Sequence, residues 1–186
     1  MTCVIAVRDI ENNKVFMGCD SGIQYSWDML QVKQPKMIKF NDMLIGIAGT
    51  IRPLQLIQYS LVLADRTEKQ SSMEYLVSVF APAVKQLLVD NDCIENKDNY
   101  KFSDSNFIIG YRGEIFIMDS NFQIVQTNDN YAAIGSGKSV ALGALGIYQN
   151  MGMLDYGDRS NRIRRVLEVA TKHCLGIQKP FKVMSI

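Results

Sequence analysis

The chain has 186 residues, 47% of them apolar and 21% charged, the make-up of one ordinary globular domain over 1–186. With 20 basic and 19 acidic residues the net charge is +1, which argues against nucleic acid or an anionic membrane as the main partner. No apolar run is long enough to cross a bilayer, and "MTCVIAVRD" lacks the basic start of an export signal, so a cytoplasmic protein is expected. Residues 2–9, "TCVIAVRD", and 14–20, "KVFMGCD", predict two strands joined by the turn "IENN". A polar loop with Gly22 and Trp27 is expected next, then strands in "KMIKF" and "MLIGIAG" around Asn41 and Asp42. Thr50 reads as the N-cap of a helix with Pro53 in its first turn and Leu54, Ile57, Leu61 and Ala64 on its apolar face. Ser71 and Glu74 form a capping box for a second helix, with a kink expected at Pro82. Residues 90–104 are polar and predict a loop. "NFIIGYR", "EIFIMDS", "QIVQT" and "YAAIG" predict four strands, 137–150 and 159–175 two helices, and "FKVMSI" a last strand. Hairpins dominate and helices come in consecutive pairs, which predicts antiparallel sheets covered by helices rather than a doubly wound parallel sheet.

The stretch "AAIGSGKSVALG" raises the question of a phosphate-binding loop. The full pattern needs a glycine at 132, where Ala132 stands, and the acidic strand "IFIMDS" precedes the loop rather than following it. Two other readings remain open at this point: a strand-to-helix turn packed closely through small residues, and an anion-binding helix start. Zinc chemistry and histidine-based nucleophilic catalysis are poorly supplied. His173 is the single histidine, and Cys3, Cys19, Cys93 and Cys174 form no C-x-x-C pair and read as reduced, mostly buried thiols.

The N-terminus offers different chemistry. Thr2 is small enough for Met1 to be removed by an aminopeptidase, leaving a free N-terminal threonine. Such a residue carries a nucleophilic hydroxyl and its own general base, an α-amine whose ordinary pKa is about 7.7–8.0. The segments "TCVIAV", "VFMGCDSG", "PKMIKF", "LIGIAG" and "AIGSGKSVALGAL" resemble, in order and spacing, the proteasome β-subunit family, above all its bacterial HslV branch.

That resemblance implies an Ntn-hydrolase fold of class α+β, a four-layer αββα sandwich of two antiparallel sheets flanked by helices. It implies Thr2 as nucleophile after Met1 removal and Lys36, held by Asp20 sixteen residues earlier, as the cation beside it. Gly46 is expected to offer its N–H to the oxyanion, and Ser136 to hydrogen-bond the threonine amine. No cofactor is required. One structural monovalent or divalent cation on the backbone carbonyls of Thr171, Cys174 and Ile177 is an option. Ile177 and Lys138 depart from the family pattern. The implied partners are polypeptide substrates, further copies of the chain in homo-oligomeric rings and an AAA+ ATP-dependent unfoldase. Three rivals remain: a catalytically inactive structural or binding subunit of the same fold, a nucleotide-binding protein using G-S-G-K-S, and an amidohydrolase acting on a small amide.

Overall fold

The computed structural model describes residues 1–97, 100–154 and 157–186. β1 (Val4–Asp9) and β2 (Lys14–Cys19) form the expected opening hairpin, with Val4 opposite Cys19 and Asp9 opposite Lys14. The loop expected next is itself a hairpin, β3 (Gly22–Tyr25) against β4 (Asp28–Gln31), with Ser26 at φ 51° in its turn. Most of its residues are exposed or half-exposed on both faces, so no apolar alternation marks it in the sequence. β5 (Met37–Phe40) and β6 (Met43–Ala48) follow as predicted, with Asn41 at φ 51° in the turn between them.

The helix after β6 departs from expectation at both ends. α1 (Arg52–Ser60) is preceded by Ile51, which caps it without a side-chain bond. Thr50 points its hydroxyl elsewhere, to Asp104 Oδ1 at 2.8 Å. Leu54 and Ile57 are buried as predicted, but Leu61 and Ala64 lie beyond the last turn. The capping box is present: Ser71 Oγ accepts from the N–H of Glu74, whose carboxylate accepts from the N–H of Ser71. It starts α2 (Ser72–Tyr75), a π turn (Leu76–Phe80) and α3 (Ala81–Asp90) as one rod. Ala81 N–H bonds Leu76 O, five residues back, so the ladder slips by one residue where Pro82 has no N–H to offer. Within the predicted loop 90–104 lies a ribbon of β7 (Glu95–Lys97) and β8 (Tyr100–Phe102); residues 98 and 99 of that span lie outside the described residues. The rest follows prediction: β9 (Asn106–Tyr111), β10 (Glu114–Met118), β11 (Ile124–Gln126), β12 (Tyr131–Ile134), α4 (Lys138–Asn150), α5 (Arg159–His173) and β13 (Lys182–Ser185).

The strands assemble into two antiparallel sheets in the orders β12-β1-β2-β13 and β11-β10-β9-β6-β5. Between them lies a core of Val4, Ala6, Val15 and Met17 against Met37, Leu44 and Ile108. The opposite face of the first sheet, through Ile5 and Val7, packs on Ala141, Leu145, Ile163 and Leu167 of α4 and α5. The opposite face of the second, through Ile45, Ile47 and Phe107, packs on Leu54, Leu76, Phe80 and Val84 of the other helices. The result is the four-layer αββα sandwich. Strands covered on both faces need apolar residues at every position, which is why β1 and β6 read as unbroken runs rather than alternating ones.

Candidate active site

β1 is a central strand. Its register places Val4 beside both Cys19 and Ile134, so the start of β1, the end of β2 and the end of β12 meet at one edge of the sheet. Thr2, Asp20 and Ser136 stand just past those three ends and are brought together by the pairing alone. Thr2 is buried, and its main-chain N–H donates to Ser136 Oγ at 3.1 Å, across 134 residues of sequence. Thr2 O in turn lies 3.3 Å from Ser136 Oγ and accepts from Gly137 N–H at 3.2 Å. Gly135, at φ 91°, makes this wrap possible: a Cβ there would lie 2.2 Å from Thr2 O.

These contacts decide the reading of "GSGKS". Gly137 N–H is committed to Thr2 O, and Lys138 N–H to Gly135 O at 3.0 Å. A Cβ at Gly137 would collide with Ile177 and Cys3. β12 runs antiparallel to β1, not as the parallel strand that feeds a phosphate loop. The glycines serve close packing on the N-terminus, and the nucleotide-binding reading is corrected accordingly.

Lys36, the residue before β5, is 2% exposed, and its ammonium lies 2.9 and 3.1 Å from the two oxygens of Asp20. Burying such a pair is unfavourable unless every remaining hydrogen-bonding site is met. It is met here. Asp20 Oδ1 also accepts from Cys3 N–H at 3.0 Å, and Oδ2 accepts from Gly22 N–H at 2.9 Å and Gln178 N–H at 3.4 Å. Lys36 Nζ donates in addition to Met1 O at 2.9 Å, and Thr2 Oγ1 donates to the same oxygen at 2.7 Å. The carbonyl of Met1 therefore marks the point where the lysine ammonium and the threonine hydroxyl converge.

This point opens on a cleft of about 530 Å³. One wall is Ile23, Gln24 and Tyr25 of β3 with Val32 and Gln34, and the other is the turn Gly49–Arg52 with Gln55. The first strand of the hairpin missing from the sequence reading thus supplies part of one wall. Among the described residues no carboxylate lines the cleft and no ion pair involves Arg52.

Gly46 does not reach the cleft, which corrects one expectation. It is buried in mid-β6 between Met37 and Ile108, and a Cβ on it would meet Val4, Met17 and Ile108 at 2.7–3.0 Å. Ile47 N–H donates to Lys36 O, so strand alternation turns the polar groups of Gly46 toward β9 and into the ladder. Its role is close approach of the two sheets. Gly49, which the sequence reading does not name as a site residue, follows the end of β6 at φ 127° and lines the cleft beside Thr2. A positive φ cannot be read from "LIGIAG", which offers two glycines and no sign of where the strand stops.

Cys3, adjacent to Thr2, is no rival nucleophile. Burial, reinforced by the charge of Asp20, pushes its thiol up to about 12, and burial does the same for Cys19. Behind the site runs the segment after α5. Ser21 N–H donates to Gln178 O at 3.0 Å and Ser21 Oγ to Pro180 O, while Ile177 is buried against Gly137. Ile177 is an apolar packing residue here. Thr171 lies in the last turn of α5 and Cys174 caps it. Among the described residues no group of His, Cys, Asp and Glu could hold a metal. Thr171 O and Cys174 O lie at the C-terminal end of α5, where carbonyls are left without helical partners whether or not an ion is bound.

No family model and no curated protein matches the sequence. Solved structures match over the whole chain. BPH of Thiobacillus denitrificans in complex with epoxomicin is similar at a TM-score of 0.78 and 17% identity, over 100% of this chain and 98% of that one. Eukaryotic HslV from Trypanosoma brucei is similar at a TM-score of 0.65 and 16% identity, over 99% and 98%. Anbu, an ancestral β-subunit, from Yersinia bercovieri is similar at a TM-score of 0.69 and 12% identity, over 99% and 81%. The chain has the fold of proteasome-like Ntn hydrolases.

Proposed function

We propose that the chain is an N-terminal threonine peptidase subunit of a self-compartmentalised, HslV-like protease, active once Met1 is removed. One observation carries the reading: the buried, fully bonded Lys36–Asp20 pair shares a single acceptor with the Thr2 hydroxyl at the mouth of a cleft. With Met1 gone, the Thr2 amine stays beside Ser136 Oγ and accepts the hydroxyl proton as Thr2 Oγ1 attacks the substrate carbonyl. The Lys36 ammonium disfavours protonation of that amine beforehand and stabilises negative charge on the threonine oxygen. The backbone N–H at Gly49 faces the developing oxyanion in this scheme. The amine then gives its proton to the leaving nitrogen, and water hydrolyses the ester on Thr2. A cation on the carbonyls of Thr171, Cys174 and Ile177 would tie down the segment behind the site. Homo-oligomeric rings, feeding by an AAA+ unfoldase and a cytoplasmic location belong to the same reading. Among the described residues no helix is long and apolar enough to cross a membrane.

The test is intact mass before and after treatment with epoxomicin, the compound held by the similar BPH. Loss of Met1 and a gain of one adduct on Thr2 are expected; protein from its natural host that keeps Met1 and takes no adduct refutes the reading. That outcome would favour the second reading, an inactive subunit. Its support is that Met1 O, while present, occupies both Lys36 and the Thr2 hydroxyl.

The cleft also predicts selectivity. With Arg52 and the amides of Gln24, Gln34 and Gln55 on its walls and no carboxylate among the described residues there, it should prefer peptides that place an acidic side chain in it. Glu before the scissile bond is expected to exceed Lys by about tenfold in kcat/KM, a difference of about 1.4 kcal/mol, and Arg52→Glu to reverse the order. Equal rates for the two peptides in the unmodified protein would remove Arg52 from recognition.

A further inference from the structure

The ladder between β6 and β9 ends at the pair Ala48–Asn106. The next residue, Gly49, leaves the extended region at φ 127°, so the backbone cannot carry the pairing further. The cleft wall at Gly49 and Thr50 would swing freely if nothing else held it. Side chains take over where the ladder stops. Thr50 Oγ1 donates to Asp104 Oδ1 at 2.8 Å. The Ser105 hydroxyl lies 2.9 Å from the same carboxylate oxygen and 3.2 Å from Thr50 O, one proton serving two acceptors. Ser105 is fully buried, and a Cβ on Gly49 would lie 2.4 Å from Asp104 O and 2.6 Å from Ser105 Oγ. The contact is therefore as close as backbones permit. It is rooted in turn: Ser105 N–H donates to Ser103 Oγ at 3.2 Å, and Ser103 N–H to Ser120 O at 2.9 Å, just past the end of β10.

We propose that Asp104 is a positioning residue: its carboxylate clasps Thr50 and thereby fixes the Gly49 turn against Thr2 in the geometry the reaction needs. Asp104 does not line the cleft and acts on the turn through Thr50, directly and by way of the Ser105 hydroxyl. The inference rests on the reading of Thr2 as nucleophile with the Gly49 N–H toward the oxyanion. An oxyanion donor acts only if it is already aimed where charge will develop, and a misplacement of about 1 Å far from the chemistry can cost on the order of 100-fold. The ground-state carbonyl depends on that donor far less, so loosening the turn should lower kcat and spare KM.

The experiment uses the full chain with Met1 removed. Asp104→Ala and Thr50→Val are expected to lower kcat for a peptide substrate by about tenfold or more, with KM within about twofold of the unmodified protein. Asp104→Asn keeps an acceptor oxygen and should recover most of the loss. Hydrogen exchange supplies a readout that needs no turnover. The amides of Gly49, Thr50 and Ile51 should exchange about tenfold faster in Asp104→Ala and Thr50→Val, while those in the centres of β6 and β9 keep their protection. Unchanged kcat and unchanged exchange in Asp104→Ala overturn the proposal, and so does an Asp104→Asn variant no better than Asp104→Ala. An unmodified chain that cleaves nothing, with the turn still loosened in Asp104→Ala, overturns the peptidase reading and supports the clasp.

Discussion

Thr2→Ala is expected to abolish peptide hydrolysis, with a loss of at least about 10⁴-fold in kcat while the fold is kept. The magnitude follows from removing the proposed nucleophile of a group of residues that would act as one unit, where loss of one member costs nearly as much as loss of all. Thr2 is the residue on which the site converges: its N–H meets Ser136, its carbonyl the Gly137 amide, and its hydroxyl the oxygen that Lys36 also holds. The substitution deletes only the hydroxyl and the methyl group, so both backbone contacts persist and the melting temperature should stay within a few degrees. An accompanying collapse of structure would show as loss of the cooperative thermal transition. Turnover that survives in Thr2→Ala would move the chemistry to another residue. Cys3 is a poor candidate, since its thiol is pushed up to about 12 and stays neutral at any working pH.

The second large effect is expected from Lys36→Met, which should lose both stability and activity. Asp20 is fully buried, and without the ammonium its charge is left with backbone donors alone, those of Cys3, Gly22 and Gln178. Breaking a buried pair by removing one partner costs about 3–5 kcal/mol, a fall of roughly 10 °C in melting temperature for a domain of this size. Peptide cleavage should fall at least about 10³-fold, because in the proposed mechanism the amine of Thr2 loses the cation that disfavours its protonation and the attacking oxygen loses its counter-charge. Asp20→Asn in the Lys36→Met background should restore a large part of the stability, because no unpaired charge remains, and none of the activity. A double variant as unstable as Lys36→Met would show that packing of the lysine stem, rather than charge, holds the site together. Recovered cleavage would remove Lys36 from the chemistry.

The candidate site was partly legible through the resemblance of short segments to the proteasome β-subunit family, and its members lie at the ends of recognisable strands. Thr2 precedes an apolar run, Asp20 ends one, Lys36 precedes another and Ser136 follows a fourth. What was misread lies where strands stop. "LIGIAG" holds two glycines three residues apart, and in a strand that spacing sends their backbones to different neighbours. Gly46 went into the ladder and Gly49 into the cleft because the pairing with β9 ends at Ala48 and Asp104 captures Thr50 beyond it. The same capture explains why Thr50 does not cap α1. A cap needs the hydroxyl oxygen to accept an N–H of the first turn, and the bond to a carboxylate 54 residues away turns that oxygen aside. The β3–β4 hairpin escaped notice because it is largely exposed, although its first strand forms a wall of the cleft.

The sequence by itself determined most of the order of the elements and the antiparallel sheets covered by helices, because periodicity, capping and turn chemistry act over a few residues; the four-layer class and most pieces of the site were legible only through the resemblance to the proteasome β-subunit family. Only the tertiary structure decided which pieces meet. The pairing of β1 with β2 and β12 set Thr2 beside Ser136 and Asp20, and burial between the sheets forced Asp20 to collect Lys36 and three amides. A buried charge must find its partners wherever the fold supplies them. Those partners lie 2, 16, 17 and 158 residues away, a choice no local pattern records.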